Sequence, residues 1–512
     1  MPFAIHHWRR TQIGRVFHDF AVWNSASGIP HIARSRNMAM RVFWSLVSIG
    51  CFLAFIGQMA FLVDTYLKYS VTVQTSLKTE LLPFPAVTLC NLNPYKHSKA
   101  REYQAVKEVL DDYSKAVSGR LALEDDRWNL TAPKSKIAIQ LKARQLLSYI
   151  MARFNSSSLQ DVTYELDEFV DLCTFNALLC INQSDSFSEV FDPAYGRCFT
   201  FNNRLPVPDY YTSKRAGMVY GLRLILTIDL QDYLPFTIAA GVRLVVHGQQ
   251  EFMYPEALGF DAPSGFATSC ALKYIRTERL PYPYGNCVKK LATEYSVEGC
   301  LRLCQQRIVF EYCNCSDPTL PLAPGSSYCR RENMGCIAEA LVVNHYDASA
   351  SCSCPPLCSE GTYSTTISTA IWPSKTYLLP QCENHPQFGN DTDKCRAWYQ
   401  RNALSLAVFF EHISYVLLSE SEAYGMVSLM SDFGGQIGLW IGVSAITVVE
   451  FLFLPYLLVY TCCARAPIDP DEVKDSNEFD IIGQDTAECF SNVLTGRPAA
   501  MHQPVGDWTT IS

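Results

Sequence analysis

The residues of this 512-residue chain with the most chemical promise lie in its last fifth. Residues 434–460 form an apolar stretch broken by one acid, Glu450. A charged group at the middle of a membrane helix costs roughly 3 kcal/mol and persists where it meets a cation or a partner. Upstream stand Gly442, Val443 and Ser444, with Asp432 at the head of the stretch. Glycine frees backbone carbonyls and lets helices approach, and a serine hydroxyl is a weak oxygen ligand for a partly dehydrated ion. Asp432 and Glu450 would concentrate cations and repel anions. The spacing also has a plainer use. Gly435, Gly438 and Gly442 fall on one helical face, where small residues simply pack helices together.

Cysteine is the second chemically loaded residue type. Seventeen of the 21 cysteines fall between Cys90 and Cys395. The spacings Cys300-x3-Cys304, Cys313-x-Cys315 and Cys352-x-Cys354-x3-Cys358 would suit zinc. The same segment carries Asn-x-Ser/Thr sequons at Asn129, Asn155, Asn182, Asn314 and Asn390, which place it in an oxidising, glycosylating compartment. Disulfides are therefore expected, with no metal and no other cofactor, and spacing alone leaves their connectivity open. Asn314 is squeezed between Cys313 and Cys315, so glycans are expected on Asn129, Asn155, Asn182 and Asn390.

The elements that must position these residues divide the chain in five. Residues 1–41 form an arm carrying Arg9, Arg10, Arg15, Arg34, Arg36 and Arg41 against one acid, Asp19. Residues 42–63 are uncharged and long enough to cross a bilayer as a helix. They start too far along and run too long for a cleaved signal peptide. Residues 64–430 form a Cys-rich domain, 431–460 a second membrane helix, and 461–512 a Pro- and Asp-rich tail expected to be disordered. Arginine before the first span puts both termini on the cytoplasmic side of a plasma membrane and the Cys-rich domain outside.

Within that domain, residues 103–113 and 138–153 read as helices, 221–229 and 264–279 as alternating strands, and 242–246 as a buried strand. Residues 298–311 predict a helix pinned through Cys300 and Cys304. Residues 380–395 predict a surface excursion, with Cys382 and Cys395 placed to close it. The fold class is an α+β membrane protein, two transmembrane helices flanking a large disulfide-rich ectodomain. A net charge of -8 without a long basic run argues against nucleic acid as a partner. No nucleophile elbow or phosphate loop marks an enzyme.

Several stretches resemble those of the degenerin/epithelial sodium channel superfamily, which includes the acid-sensing channels. They are Phe84-Pro85-Ala86-Val87-Thr88-Leu89-Cys90-Asn91-Leu92-Asn93, Cys198-Phe199-Thr200-Phe201-Asn202, the nine cysteines from Cys300 to Cys358, and Asp432-Phe433-Gly434-Gly435-Gln436 continuing to Ser444. The resemblance implies a homotrimer, or a heterotrimer with related subunits, in the acid-sensing channel fold, with a central sodium-selective, amiloride-sensitive pore. It implies that Gly442, Val443 and Ser444 form the selectivity filter and that Asp432 and Glu450 are pore acids. Ser431 matches the position where bulk holds degenerins open, and Tyr69 and Tyr284 match an aromatic pair coupling ectodomain to first helix. The implied disulfides are Cys90–Cys198, Cys173–Cys180, Cys287–Cys358, Cys300–Cys354, Cys304–Cys352, Cys313–Cys336 and Cys315–Cys329. Cys270, Cys382 and Cys395 fall outside that set.

Two departures stand out. Ser27-Gly28 occupies the inner-arm place where the superfamily usually has His-Gly. Phe453 stands where many relatives carry a second acid, and Pro455 predicts a kink. Arg279-Leu280-Pro281-Tyr282-Pro283-Tyr284-Gly285-Asn286-Cys287, Gly241-Val242-Arg243-Leu244-Val245-Val246-His247 and Trp372-Pro373 look most like the FMRFamide-gated sodium channels. That likeness implies an extracellular peptide as opener. Asp161, Glu165, Asp167, Glu168 and Phe169 could receive its arginine and ring, or form an ordinary solvated face. The alternatives are a proton-, bile-acid- or mechanically gated channel of the superfamily, or a two-pass receptor that conducts nothing.

Overall fold

A short apolar run bounded by proline and asparagine makes a strand buried on both faces, and Ala86–Asn91 is one. In the computed structural model, which describes residues 12–180, 183–203, 211–249, 251–289, 295–343, 352–383, 385–389 and 391–463, it is the middle strand of a five-stranded sheet. Gly241–His247 and Gly196–Phe201 pair antiparallel on its two sides. Phe84, just before it, is fully buried, its ring centroid 5.0 Å from Phe175 and 6.0 Å from Phe410 in edge-on contacts. Just after it, Asn93 is a buried hub. Its amide donates to Tyr95 O and Tyr164 Oη, and its carbonyl accepts from Leu234 N and Thr237 Oγ1.

A second, eight-stranded sheet is built on a long antiparallel pair, Phe266–Glu278 with Ser359–Ile371. Phe266–Glu278 also takes Ala403–Phe410 and Tyr415–Glu422 as parallel neighbours in turn. Its alternating burial at Thr268, Cys270 and Leu272 is the period-two signature of a strand with one wet face. Cys270 is unpaired and fully buried, and burial pushes its thiol up to about 12, so it acts as a small apolar residue. Two helices, Gln104–Val117 and Lys136–Met151, share a separate core through Val106, Leu110, Leu146, Leu147 and Met151.

The helix Val297–Cys313 starts at Ser296, whose hydroxyl accepts from Gly299 N, and ends at Asn314 in the left-handed region. It is cross-linked more than it is packed. Cys300–Cys354 and Cys304–Cys352 tie one face, and Cys313–Cys336 and Cys315–Cys329 tie its end. Cys90–Cys198, Cys173–Cys180 and Cys287–Cys358 are also joined. An eighth bridge, Cys382–Cys395, closes the excursion, and the helix Thr392–Asn402 begins inside it and runs on past Cys395.

By contact the chain falls into two units, Thr72–Ser421 and the pair of flanking segments up to Val71 and from Glu422. In the flanking unit Met38–Leu67 is long and apolar enough to cross a membrane and buries none of its residues. Its thirty residues reach about 45 Å, beyond a hydrocarbon core of about 30 Å. The second apolar segment is not one helix over 431–460. It is two, Met426–Trp440 and Ala445–Cys463, with a 76° bend between them. The second helix runs on through Pro455. The interruption falls at residues 441–444, for local reasons given below.

One buried group ties the five-stranded sheet to pH. His247 Nδ1 lies 2.9 Å from Gly248 O, which only accepts, so Nδ1 carries the proton and Nε2 accepts from Thr88 Oγ1 at 2.9 Å. Burial lowers its pKa to about 4. The unfolded chain binds this proton near pH 6.5 and the folded chain does not, so stability falls as pH drops between those values. The expected loss is up to roughly 3 kcal/mol. Thermal melts across pH 7 to 4 should show it, and His247→Gln should flatten that slope.

Candidate functional site

The interruption at residues 441–444 is written into its residue types. Ile441 N and Gly442 N close the first helix onto Ile437 O and Gly438 O, and Gly442 then takes φ +70°, where a side chain is strained. Gly442 therefore lies outside the helix and does not continue the packing face of Gly435 and Gly438. Ser444 opens the second helix. Its hydroxyl accepts from Thr447 N at 3.3 Å, Thr447 Oγ1 accepts from Ser444 N at 3.1 Å, and Ser444 O accepts from Val448 N. Among the described residues, the carbonyls of residues 439–443 accept no hydrogen bond. The N–H groups of Val443, Ala445 and Ile446 likewise have no acceptor among the described residues, so the break leaves backbone groups of both kinds open.

Residues 24–28 of the arm lie against this break. Ser25 N and Ser25 Oγ both donate to Glu450 Oε2, at 2.8 and 2.9 Å, and Ser25 Oγ sits 2.7 Å from Thr447 Oγ1. Thr447 is fully buried. Glu450 Oε1 meets no protein donor among the described residues, so one carboxylate oxygen is structural and the other is open. A Cβ on Gly442 would fall 2.0 Å from Ser27 Oγ, and one on Gly28 would fall 2.5 Å from Ser48 Oγ on the long helix. Phe20 packs edge-on to Phe451, His31 stacks on Trp44, and Arg34 Nη2 donates to Val22 O. These contacts fold the arm back beside the second helix. An apolar cavity of about 240 Å³ remains between Gly28, Trp44, Cys51 and Trp440.

The other expected site residues are more scattered. Asp432 accepts from Tyr424 Oη at 2.8 Å, and Ser431 is exposed on the first helix of the pair. Tyr69, with φ +45°, places its ring 5.7 Å from Tyr66 in the flanking unit. Tyr284 is a half-buried turn residue of the central unit. Asn129 and Asn155 are exposed, and Asn155 Oδ1 accepts from Ser158 N. Asn182 and Asn390, and the tail beyond residue 463, lie outside the described residues.

The acidic stretch near residue 165 does not form a peptide slot. Phe169 is buried in the sheet core, Asp161 pairs with Lys99, and Glu168 pairs with Lys96 at 2.7 Å. Burial acts to raise the Glu168 pKa, but hydrogen bonds from Lys96 and Glu165 N outweigh it and hold the carboxyl low. Ser25 and Thr447 are the site residues that sequence reasoning missed. The Ser444-x-x-Thr447 cap spacing could have found Thr447, and nothing in the sequence points to Ser25.

The profile of the family described as "Amiloride-sensitive sodium channel" matches residues 20–454. Among curated relatives, degenerin mec-10 of Caenorhabditis elegans is 26% identical, covering 87% of this chain and 84% of that protein. Degenerin-like protein asic-2 of the same species is 29% identical over 91% of each. Degenerin mec-4 of Caenorhabditis briggsae is 37% identical over 62% of this chain and 42% of its own length. A cryo-EM structure of a proton-activated chloride channel aligns over 81% of this chain at TM-score 0.32 and 5% identity, too slight a likeness to argue from.

The arm and the break should be coupled by size. Gly442→Ala adds a methyl where Ser27 stands and strains φ by about 1–2 kcal/mol. It should lower the melting temperature of the purified chain and its surface expression. Ser27→Gly should restore part of both. A double variant no better than Gly442→Ala alone would place Ser27 elsewhere.

Proposed function

The chain belongs to the amiloride-sensitive sodium channel family, and from that premise we propose that three copies form a sodium-selective, amiloride-sensitive pore opened by an extracellular peptide of the FMRFamide type. It is a multi-pass plasma-membrane channel of the degenerin/epithelial sodium channel superfamily and not an enzyme. The observation that carries the pore reading is the open row of carbonyls at residues 439–443, set just before the Ser444 cap and the helix that bears the Glu450 carboxylate.

In this reading residues 42–63 and 431–460 cross the bilayer, both termini are cytoplasmic, and the disulfide-rich domain faces outward. Gly442, Val443 and Ser444 from three subunits supply oxygens in place of part of a sodium ion's water shell. Asp432 raises the local cation concentration at one side and the open oxygen of Glu450 does so at the other. Ser27 and Gly28 hold the arm beside the filter, so the arm shares in shaping the inner passage. Ser431 is where added bulk would hold the pore open, and Tyr69 with Tyr284 would pass ectodomain motion to the first helix. Peptide gating is supported by the segments around Tyr282, Val245 and Trp372 that look like FMRFamide-gated channels.

Two-electrode voltage clamp of oocytes expressing the chain tests this directly. FMRFamide should evoke an inward sodium current that amiloride blocks. Current evoked by acid alone would replace the peptide with the proton, and silence under peptide, acid and stretch would point to a receptor. Once current is seen, Ser444→Ala should move the reversal potential toward that of potassium. Glu450→Gln should lower single-channel conductance at least about twofold in dilute salt, with the deficit shrinking as ionic strength rises.

A further inference from the structure

A cavity of about 640 Å³ lies in the central unit against the cross-linked helix Val297–Cys313. Cys300, Leu303, Cys304 and Arg307 line it at the i, i+3, i+4, i+7 spacing of a single helical face. Phe252 and Tyr254, with ring centroids 5.0 Å apart, line it as well. The disulfides Cys300–Cys354 and Cys304–Cys352 fix one wall. Gly299 keeps it open, since a Cβ there would lie 3.1 Å from Tyr254 Oη.

The charges around this cavity are one-sided. Arg302, on the same helix, is paired with Glu298 at 2.7 Å and lies over the Tyr254 ring. Arg307, which lines the cavity, has only the Cys304 sulfur at 3.9 Å and meets no carboxylate among the described residues. No lining residue is acidic. An apolar concavity of this size with one unneutralised guanidinium matches a ligand with an apolar body and an anionic head.

We propose that this cavity binds an amphipathic organic acid, its apolar body against Phe252, Leu303 and the paired disulfides and its carboxylate or sulfonate on Arg307. The cationic rim excludes an Arg-Phe-amide peptide, so the site is separate from that of the proposed opener. A ligand here would wedge between the helix and the segment following Gly241–His247.

Binding is read without current, so failure of the channel reading leaves this test intact. The full chain in lipid nanodiscs is titrated calorimetrically with naphthalene-2-sulfonate and with the uncharged naphthalene-2-sulfonamide. The wild type should bind the sulfonate about tenfold tighter, as expected for one charge-assisted contact. Arg307→Gln should erase that preference, and Arg307→Lys should retain part of it. Leu303→Trp, at an exposed position, should fill the cavity and weaken both probes while leaving the thermal melt unchanged. Equal affinity for the two probes, no binding of either, or a sulfonate affinity unmoved by Arg307→Gln and Leu303→Trp would overturn the proposal.

Discussion

Hydrocarbon offers no hydrogen bonds, so a helix that stops within it must satisfy or use every backbone group it releases. The membrane unit is organised around that constraint. At residues 441–444 the released groups are only partly taken up. Ile441 N and Gly442 N close onto Ile437 O and Gly438 O, and Ser444 N donates to Thr447 Oγ1. The N–H groups of Val443, Ala445 and Ile446 and the carbonyls of residues 439–443 have no hydrogen-bond partner among the described residues. The open carbonyls present the negative ends of their dipoles, the end that suits a cation.

The ectodomain obeys a different constraint, that of small apolar volume. The two sheets have one continuous core, from Phe84 and Leu89 through Leu224 to Phe410, and burial holds them together. The helix Val297–Cys313 and its neighbours have little such core, with Val309 and Ile337 among the few apolar residues fully inside it. Disulfides take over there, each contributing about 2–4 kcal/mol by restricting the unfolded chain. Cross-linking in place of packing also leaves room. The large cavity beside Arg307 exists because covalent ties, not filled volume, set the distance between that helix and its surroundings.

Much of this was legible in the sequence, and the parts that were not share a cause. Gly241–His247 and Phe266–Glu278 are readable because burial writes a local pattern, nearly continuous in the first and alternating in the second. Residues 434–460 were read as one span because their composition is uniformly apolar. The break inside it depends on Gly442 and on a cap whose serine was assigned to ion contact rather than to helix initiation. Pro455, the residue type least suited to a helix interior, lies inside the second helix without ending it. Ser25 left no trace, since its role exists only once the arm has folded back more than four hundred residues away in sequence. The FMRFamide likeness speaks to gating and leaves the fold unaffected.

Glu450 joins these threads. A buried carboxylate held on both oxygens would serve structure alone, and one held on neither would be costly to keep in a membrane. Here Ser25 holds Oε2 through two donors while Oε1 stays open. The arm therefore supplies both donors to one oxygen, and the other has none among the described residues. The arm reaches that position only because it is built from small residues. Gly442 has no Cβ to meet Ser27, Gly28 has none to meet Ser48, and Ala26 is buried. The serine at position 27, where the superfamily usually has histidine, is thus best understood together with Gly442. The identity of an arm residue and the geometry of the helix break are two sides of one packing problem.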